Sequence, residues 1–161
     1  MSWRHYLFGL SGRITRLQYW RFALLSIGFV LAGALVAMPY VLIEHPNASD
    51  PSKPVSAIAI ATFAGEGVVV LAFLFANLAI LAKRLHDRNK SVWWLLLFLA
   101  APPVLGQIAE ELPSRFAAPP WVAPVVLLLA VAANLWGFVE IGLLRGTQGE
   151  NRYGPDPLAG R

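Results

Sequence analysis

Residues 22–43 read FALLSIGFVLAGALVAMPYVLI, a run of 22 residues without a charged side chain. A helix needs roughly 20 apolar residues to cross the hydrocarbon core of a bilayer. Three further apolar runs of similar length follow along the chain, at residues 55–82, 91–109 and 121–144. Because backbone polar groups in lipid must bond within their own segment, each run is predicted to be helical.

The composition supports a membrane protein. The chain has 161 residues, of which 57% are hydrophobic and only 14% are charged, against about 25% charged in an ordinary soluble domain. So few charges cannot cover the surface of a soluble protein of this size. The length indicates one domain. The absence of cysteine excludes disulfides, thiolate metal sites and cysteine nucleophiles.

The predicted fold class is therefore all-α: a polytopic membrane protein with four transmembrane helices in a single domain, residues 1–161. The helices are expected at about 20–43, 62–84, 91–109 and 121–144, with a cytoplasmic tail at 145–161. The first run is too long and starts too late for a signal peptide, so it is interpreted as a retained anchor.

Local signals mark the start of the first helix. Thr15 and Gln18 have the spacing of a capping box, in which each side chain satisfies a free amide of the first turn. The residues ahead of them combine Trp3, Tyr6 and other apolar side chains with Arg4 and His5. We expect this stretch to be a short interfacial segment on the membrane surface; the alternative is a loose tail.

Basic residues predict the orientation, because Lys and Arg in short loops mark the cytoplasmic side. Successive segments outside the four runs carry four, one, four, one and three basic residues. Summed by side, 11 lie on one face and 2, Lys53 and Arg115, on the other. This charge bias predicts a multi-pass membrane protein with both termini and the second loop cytoplasmic. The positions of these charges beside apolar runs argue against nucleic acid as a partner.

Glu66 and Glu140 interrupt otherwise apolar runs, and Asn134 lies deeper in the last run. An ionisable group at membrane depth suggests a functional site. Glu66 and Glu140 are nevertheless expected near the two interfaces, with Glu140 pairing with a basic residue, and a structural role is favoured for both. Asn134 is predicted to bond a neighbouring helix. The prolines at 102–103 are expected to bend a full crossing, with a re-entrant segment as the alternative.

Three polar segments are predicted to share the cytoplasmic face: residues 12–16, 84–91 and 150–157. They could form a compact cap through Arg–Asp pairs, or bind the phosphate headgroups of anionic lipids. For the adjacent His86 and Asp87, a hydrogen-bonded turn in which Asp87 caps the helix or pairs with Arg84 or Arg88 is favoured over acid–base catalysis. No metal or other cofactor is expected.

The stretches GRITRLQYW, KRLHDRNKSVWWLLL and GENRYGPDP resemble the signature motifs of domain-of-unknown-function family 805, the YhaH-type bacterial inner-membrane proteins. The resemblance covers nearly the whole chain and implies a four-helix inner-membrane protein, but no activity. The resemblance and the three polar segments together give a candidate cytoplasmic motif face. Its residues are Arg13, Arg16, Arg84, His86, Asp87, Arg88, Ser91, Trp93, Trp94, Asn151, Tyr153, Gly154 and Asp156.

Two functions remain open at this stage. We expect a non-enzymatic membrane protein whose cytoplasmic motif face binds a partner protein or anionic lipid. The alternative is a small transporter or channel component, in which the chain would act as a homo-oligomer. A surface enzyme using His86 and Asp87 is disfavoured, because no nucleophile, metal set or phosphate loop accompanies them.

Overall fold

The computed structural model describes residues 3–44 and 57–159, and the side chains of residues 3–35 and 64–159. The first predicted loop with Lys53, and Arg161 in the tail, lie outside the described residues. Five α-helices follow one another along the described chain: α1 Trp3–Phe8, α2 Arg16–Glu44, α3 Ala57–Asp87, α4 Ala101–Phe116 and α5 Val122–Phe138. π-helical segments, Leu96–Ala100 and Val139–Leu143, precede α4 and follow α5. The described part of the chain contains no β-strand, so the all-α prediction is confirmed.

Three stretches of helix are long and apolar enough to cross a membrane: Arg16–Leu35, Ala64–Asp87 and Val122–Leu143. The sequence predicted four. The third apolar run lies in the helix formed by Leu96–Ala100 and α4, but this helix continues to Phe116. Its second half contains Glu110, Glu111 and Arg115. These charged residues lower the mean hydropathy of the helix as a whole.

The chain does not reverse at the proline pair. Pro102 stands in the first turn of α4, directly after the π-helical segment, and is buried. Pro102 and Pro103 lack the amide donor, so backbone hydrogen bonds are missing where the π-helical segment joins α4. The helix then continues through Pro113 to Phe116, so the structure favours a continuous helix over a re-entrant segment.

Helix α2 begins as predicted. The Thr15 amide donates to the Gln18 side chain at 2.9 Å, and the Gln18 amide donates to Thr15 Oγ1 at 3.2 Å. The capping box is therefore present. Beyond it, large apolar side chains such as Leu24, Leu25 and Leu35 are exposed, as expected of a helix that faces lipid.

The buried core lies near the end of the molecule where α3 and the Val139–Leu143 segment meet. Leu85, Leu95, Phe98 and Ile141 form it. Helices α4 and α5 pack together more extensively than any other pair. A Cβ on Gly137 would come within 3.1 Å of three atoms of the Phe98 side chain, so α5 approaches its neighbour closely at this point.

Candidate functional site: a polar clasp at one end of the helices

The three predicted motif segments meet in space. Residues 12–16 lead into α2, residues 84–90 end α3, and residues 144–158 follow the last helical turn. Hydrogen bonds join each segment to the other two. We call this assembly of residues 12–16, 84–90 and 144–158 the clasp. Because it joins parts of the chain more than 130 residues apart, it ties the tail to the ends of α2 and α3.

Asp87 lies at the centre of the clasp and is only 3% exposed. Its Oδ1 accepts from Arg13 at 3.1 Å, and its Oδ2 accepts from Arg84. Both guanidinium groups are also buried, with side-chain exposures of 1% and 0%. One buried carboxylate therefore faces two buried cations, and the remaining guanidinium donors require other acceptors.

Backbone carbonyls supply those acceptors. Arg13 donates to the carbonyls of Thr147, Gly149 and Gly154, the last two at 2.7 and 3.2 Å. Arginine carries five donors in a planar fork, so it can hold several carbonyls of one irregular segment. The tail thus wraps around a side chain that precedes α2.

Arg84 performs the same role for the end of the last helix. It donates to the carbonyl of Ile141 at 2.8 Å and to the carbonyl of Leu144. The last carbonyls of a helix have no intrahelical donor, so a buried cation at this position satisfies groups that would otherwise be costly to bury.

The backbone of Asp87 binds the tail as well. Its carbonyl accepts from the Thr147 amide at 2.8 Å and from Thr147 Oγ1 at 3.0 Å. Gly146 lies so close that a Cβ there would overlap the Asp87 carboxylate. Asn89, with a left-handed φ of 57°, then ends α3, as Asn commonly does after a helix.

His86 is held by stacking. Its ring lies 3.8 Å from that of Tyr153, at an interplanar angle of 8°, and its Nδ1 is 3.3 Å from the Gly12 carbonyl. Asn151 donates to the His86 carbonyl at 2.9 Å. His86 and Asp87, for which acid–base catalysis is disfavoured, are thus both engaged by the chain's own groups.

Asp156 closes the tail on itself. Its carboxylate accepts from the backbone amides of Leu158 at 2.9 Å and Gly149 at 3.0 Å. These two backbone hydrogen bonds hold the pKa of Asp156 below its ordinary value, because they stabilise the charged form.

Beside the clasp, Glu140 forms a second cluster of charges. It is 5% exposed and pairs with Arg88 at 3.1 Å and with Lys90 at 3.7 Å. The Lys90 ammonium also lies 3.9 Å from the centroid of the Trp94 ring, a cation–π distance. The predicted pairing of Glu140 with a basic residue is confirmed.

Several predicted residues lie apart from this network. Trp93 is 78% exposed and Glu66 is exposed on α3, while Ser91 contributes its carbonyl to the turn before Trp94. The prediction for Asn134 was wrong: its amide donates to the Ala130 carbonyl of its own helix at 3.2 Å. Four residues earlier in a helix, that carbonyl is the nearest acceptor.

Some members of the site were missed from the sequence. Lys83 is buried and donates to the carbonyls of His5 and Tyr6 at 2.7 and 2.6 Å, which fixes α1 against α3. Gly146 and Thr147 were assigned only to a polar tail. Gly146 is a residue typical of turns, but nothing in the sequence indicated that it would lie beside Asp87.

The clasp leaves little open space. A cavity of about 30 Å³ is lined by residues that include Arg16, Asp87, Arg145 and Asp156, and it has room for one or two water molecules. Among the described residues, no group of three His, Cys, Asp or Glu side chains is placed to hold a metal ion. The arrangement is suited to holding chain segments together.

The fold and the clasp define a class: a small, all-helical membrane protein whose distant polar motifs close on one another at one end. The chain matches the family described as Protein of unknown function (DUF805) over residues 7–155, and it belongs to that family.

Three relatives from Escherichia coli K12 cover most of this chain. It is 30% identical to the uncharacterized protein YiiR, over 97% of this chain and 90% of the relative. It is 29% identical to the inner membrane protein YhaH (92% and 87% covered) and 27% identical to the inner membrane protein YhaI (94% and 88% covered). No solved structure matches the chain.

Proposed function

We propose that the protein is a non-enzymatic, multi-pass protein of the bacterial inner membrane, whose clasp end binds the headgroups of anionic phospholipids. One observation carries the proposal: the clasp pairs its buried charges internally, while exposed basic side chains of the clasp and of the adjoining helices form a rim. This rim consists of Arg4, Arg16, Arg21, Arg145 and Arg152. Exposed basic clusters at the inner membrane surface attract anionic lipid.

The charge distribution supports a cytoplasmic position for the clasp. Of the charged side chains that the structure describes, the clasp end has ten basic and four acidic ones, and the opposite end has one basic and three acidic. Basic residues in short segments favour the cytoplasmic side. The exposed Trp3 and Trp93 also lie at the clasp end, and tryptophan favours headgroup depth.

Four crossings are the topology that we propose. Residues 3–8 and 144–159 both lie at the clasp end, so the number of crossings between them must be even. Three helical stretches qualify on apolarity alone. The helix that ends at Phe116 runs antiparallel to α5 and packs along it, which makes it the natural fourth crossing. Both termini would then be cytoplasmic.

The transporter alternative draws little support from the residues that suggested it. Glu140 is engaged with Arg88 and Lys90, and Asn134 with its own helix. Glu66 lies about 30 Å along α3 from Asp87, by the rise of 1.5 Å per residue. The described polar residues therefore do not line one common path.

The test compares lipid enrichment between matched variants. Full-length protein in nanodiscs of mixed phosphatidylglycerol and phosphatidylcholine is analysed by native mass spectrometry for the lipids that it retains. Each basic residue near an anionic surface is worth about 1 kcal/mol, so we expect the Arg145→Gln, Arg152→Gln double variant to lose phosphatidylglycerol preference by about thirtyfold. Added salt should weaken the preference of the unaltered protein, because these groups are exposed.

Arg115→Gln, at the opposite end of the molecule, is the matched control. Equal lipid preference in the control and the double variant would count against the proposal. If a protein crosslinked to the clasp with the same yield in membranes without anionic lipid, the binding partner of the clasp would be that protein and not lipid.

A further inference from the structure

A lateral groove of about 480 Å³ opens between α1, α2 and α3, within the range of about 300–1,000 Å³ that is usual for small-molecule sites. Its lining is almost entirely apolar. It runs along α2 from Arg21 to Phe29 and along α3 from Val69 to Ala76, a length of about 12 Å by the helical rise.

The packing around the groove explains why the chain leaves it open. The stacked rings of Phe29 and Phe73, with centroids 4.9 Å apart, hold α2 against α3 at the deep end. At the clasp end, Phe8 stacks on Phe75 at 6.3 Å and places α1 across the gap. Between them, small side chains such as Ala72 do not fill the space.

Three polar side chains interrupt the apolar lining, and one of them, Tyr6, donates its hydroxyl to the Gln18 carbonyl at 3.1 Å. Arg21 is exposed at the end of the groove nearest the clasp. Ser26 Oγ, five residues further along α2, is shielded from solvent and has no hydrogen-bond partner among the described residues. Burying a hydroxyl without a partner is costly, so an acceptor from a bound molecule would relieve that cost.

We infer that this groove binds one acyl chain of an anionic diacyl phospholipid, with the phosphate on Arg21 and an ester carbonyl accepting from Ser26 Oγ. The order of the groups along the groove is that of such a lipid: phosphate, ester, then hydrocarbon. Arg21 and Ser26 are about 7.5 Å apart along the helix axis. The inference rests on the proposed function and deepens it. The rim attracts anionic lipids in general, and the groove holds one of them.

The experiment uses a phosphatidylglycerol with a photoreactive diazirine in one acyl chain. Full-length protein is reconstituted in phosphatidylcholine nanodiscs that contain the probe, illuminated, and analysed by peptide mass spectrometry. We expect adducts to concentrate on peptides spanning residues 21–29 and 69–76, rather than on residues 122–138 of α5. Ala72→Trp, which fills the groove, should abolish most of this labelling.

Ala132→Trp, at an exposed position of α5, is the matched control and should leave groove labelling unchanged. Arg21→Gln, an exposed change that leaves the packing intact, should make labelling by the phosphatidylglycerol probe equal to that by a phosphatidylcholine probe. Ser26→Ala should remove the preference for an ester-linked over an ether-linked probe. That preference is expected at about twofold to tenfold, the effect of one hydrogen bond.

The outcomes separate this inference from the proposed function. Labelling spread evenly over α2, α3 and α5, and unaffected by Ala72→Trp, would overturn the groove even if the Arg145 and Arg152 variants lost phosphatidylglycerol preference. Groove labelling that depends on Arg21 and Ala72, while the Arg145→Gln, Arg152→Gln double variant keeps its phosphatidylglycerol preference, would support the groove and contradict the proposed role of the rim residues outside it.

Discussion

Substituting Gly146 by alanine should open the clasp. The new Cβ would overlap the Asp87 carboxylate, which is the mobile end of a short side chain and is therefore displaced more easily than backbone. Gly146 does not have a positive φ, so alanine adopts its backbone conformation without strain. Any cost must then come from the lost contacts of Asp87 with Arg13 and Arg84.

The expected cost follows from the burial of those groups. Both arginine side chains are at most 1% exposed, and removing one partner from a buried ion pair costs about 3–5 kcal/mol. Overpacking alone, with Asp87 retained, costs about 1–3 kcal/mol. We therefore expect Gly146→Ala to lower the free energy of unfolding by about 3–5 kcal/mol, the cost for a displaced carboxylate.

The assay is reversible unfolding in mixed micelles, followed by tryptophan fluorescence. Gly106→Ala is the control, because a Cβ at Gly106 has no neighbour within 4 Å; it should be neutral or stabilise by up to about 1 kcal/mol. The double variant Gly146→Ala, Asp87→Ala should be no less stable than Asp87→Ala alone, since both changes remove the same interaction. This explanation would be refuted if Gly146→Ala had the same free energy of unfolding as Gly106→Ala. It would also be refuted if the losses of stability from Gly146→Ala and Asp87→Ala added in the double variant.

Two further predictions concern packing and pH. Gly137→Ala should destabilise the protein by about 1–3 kcal/mol through overpacking against Phe98, and a second change, Phe98→Leu, should recover part of the loss; a neutral Gly137→Ala would contradict the close approach of α5. Because the pKa of Asp156 is lowered in the folded protein, its contribution to stability is present above the ordinary carboxyl pKa of 3.8 and is lost as pH falls through the lower folded value. Asp156→Asn should therefore be less stable than the unaltered protein at neutral pH, with the difference shrinking below pH 3.8; a difference independent of pH in unfolding measurements would exclude the charge as its cause.

Local relationships were readable in the sequence. Thr15 and Gln18 are three residues apart, as are Arg84 and Asp87, and helical geometry brings such pairs together without reference to the rest of the fold. The choice between Arg84 and Arg88 for Asp87 was left open, because both lie within reach along the chain. The structure pairs Asp87 with Arg84, while Arg88 contacts Glu140.

Contacts between side chains and distant backbone groups could not be predicted from the sequence. Arg13 binds carbonyls of Thr147, Gly149 and Gly154, and every residue has a carbonyl, so its acceptors have no sequence signature. Grouping the motifs on one face indicated that they would meet, but not that a Gly146 without a side chain would be needed beside Asp87. Three helical stretches qualify as spans where the sequence predicted four, because apolar run length did not show where the helix ending at Phe116 would stop.

The dependence of Arg13 on the tail imposes an order on biosynthesis. The ribosome adds Arg13 to the chain 141 residues before it adds Gly154. During that interval the guanidinium must stay hydrated, because the acceptors that permit its burial have not been made. The clasp can therefore close completely only after the chain has been synthesised through Gly154. A chain terminated before Gly154 would lack one of the carbonyls that Arg13 binds, however well its earlier helices had inserted.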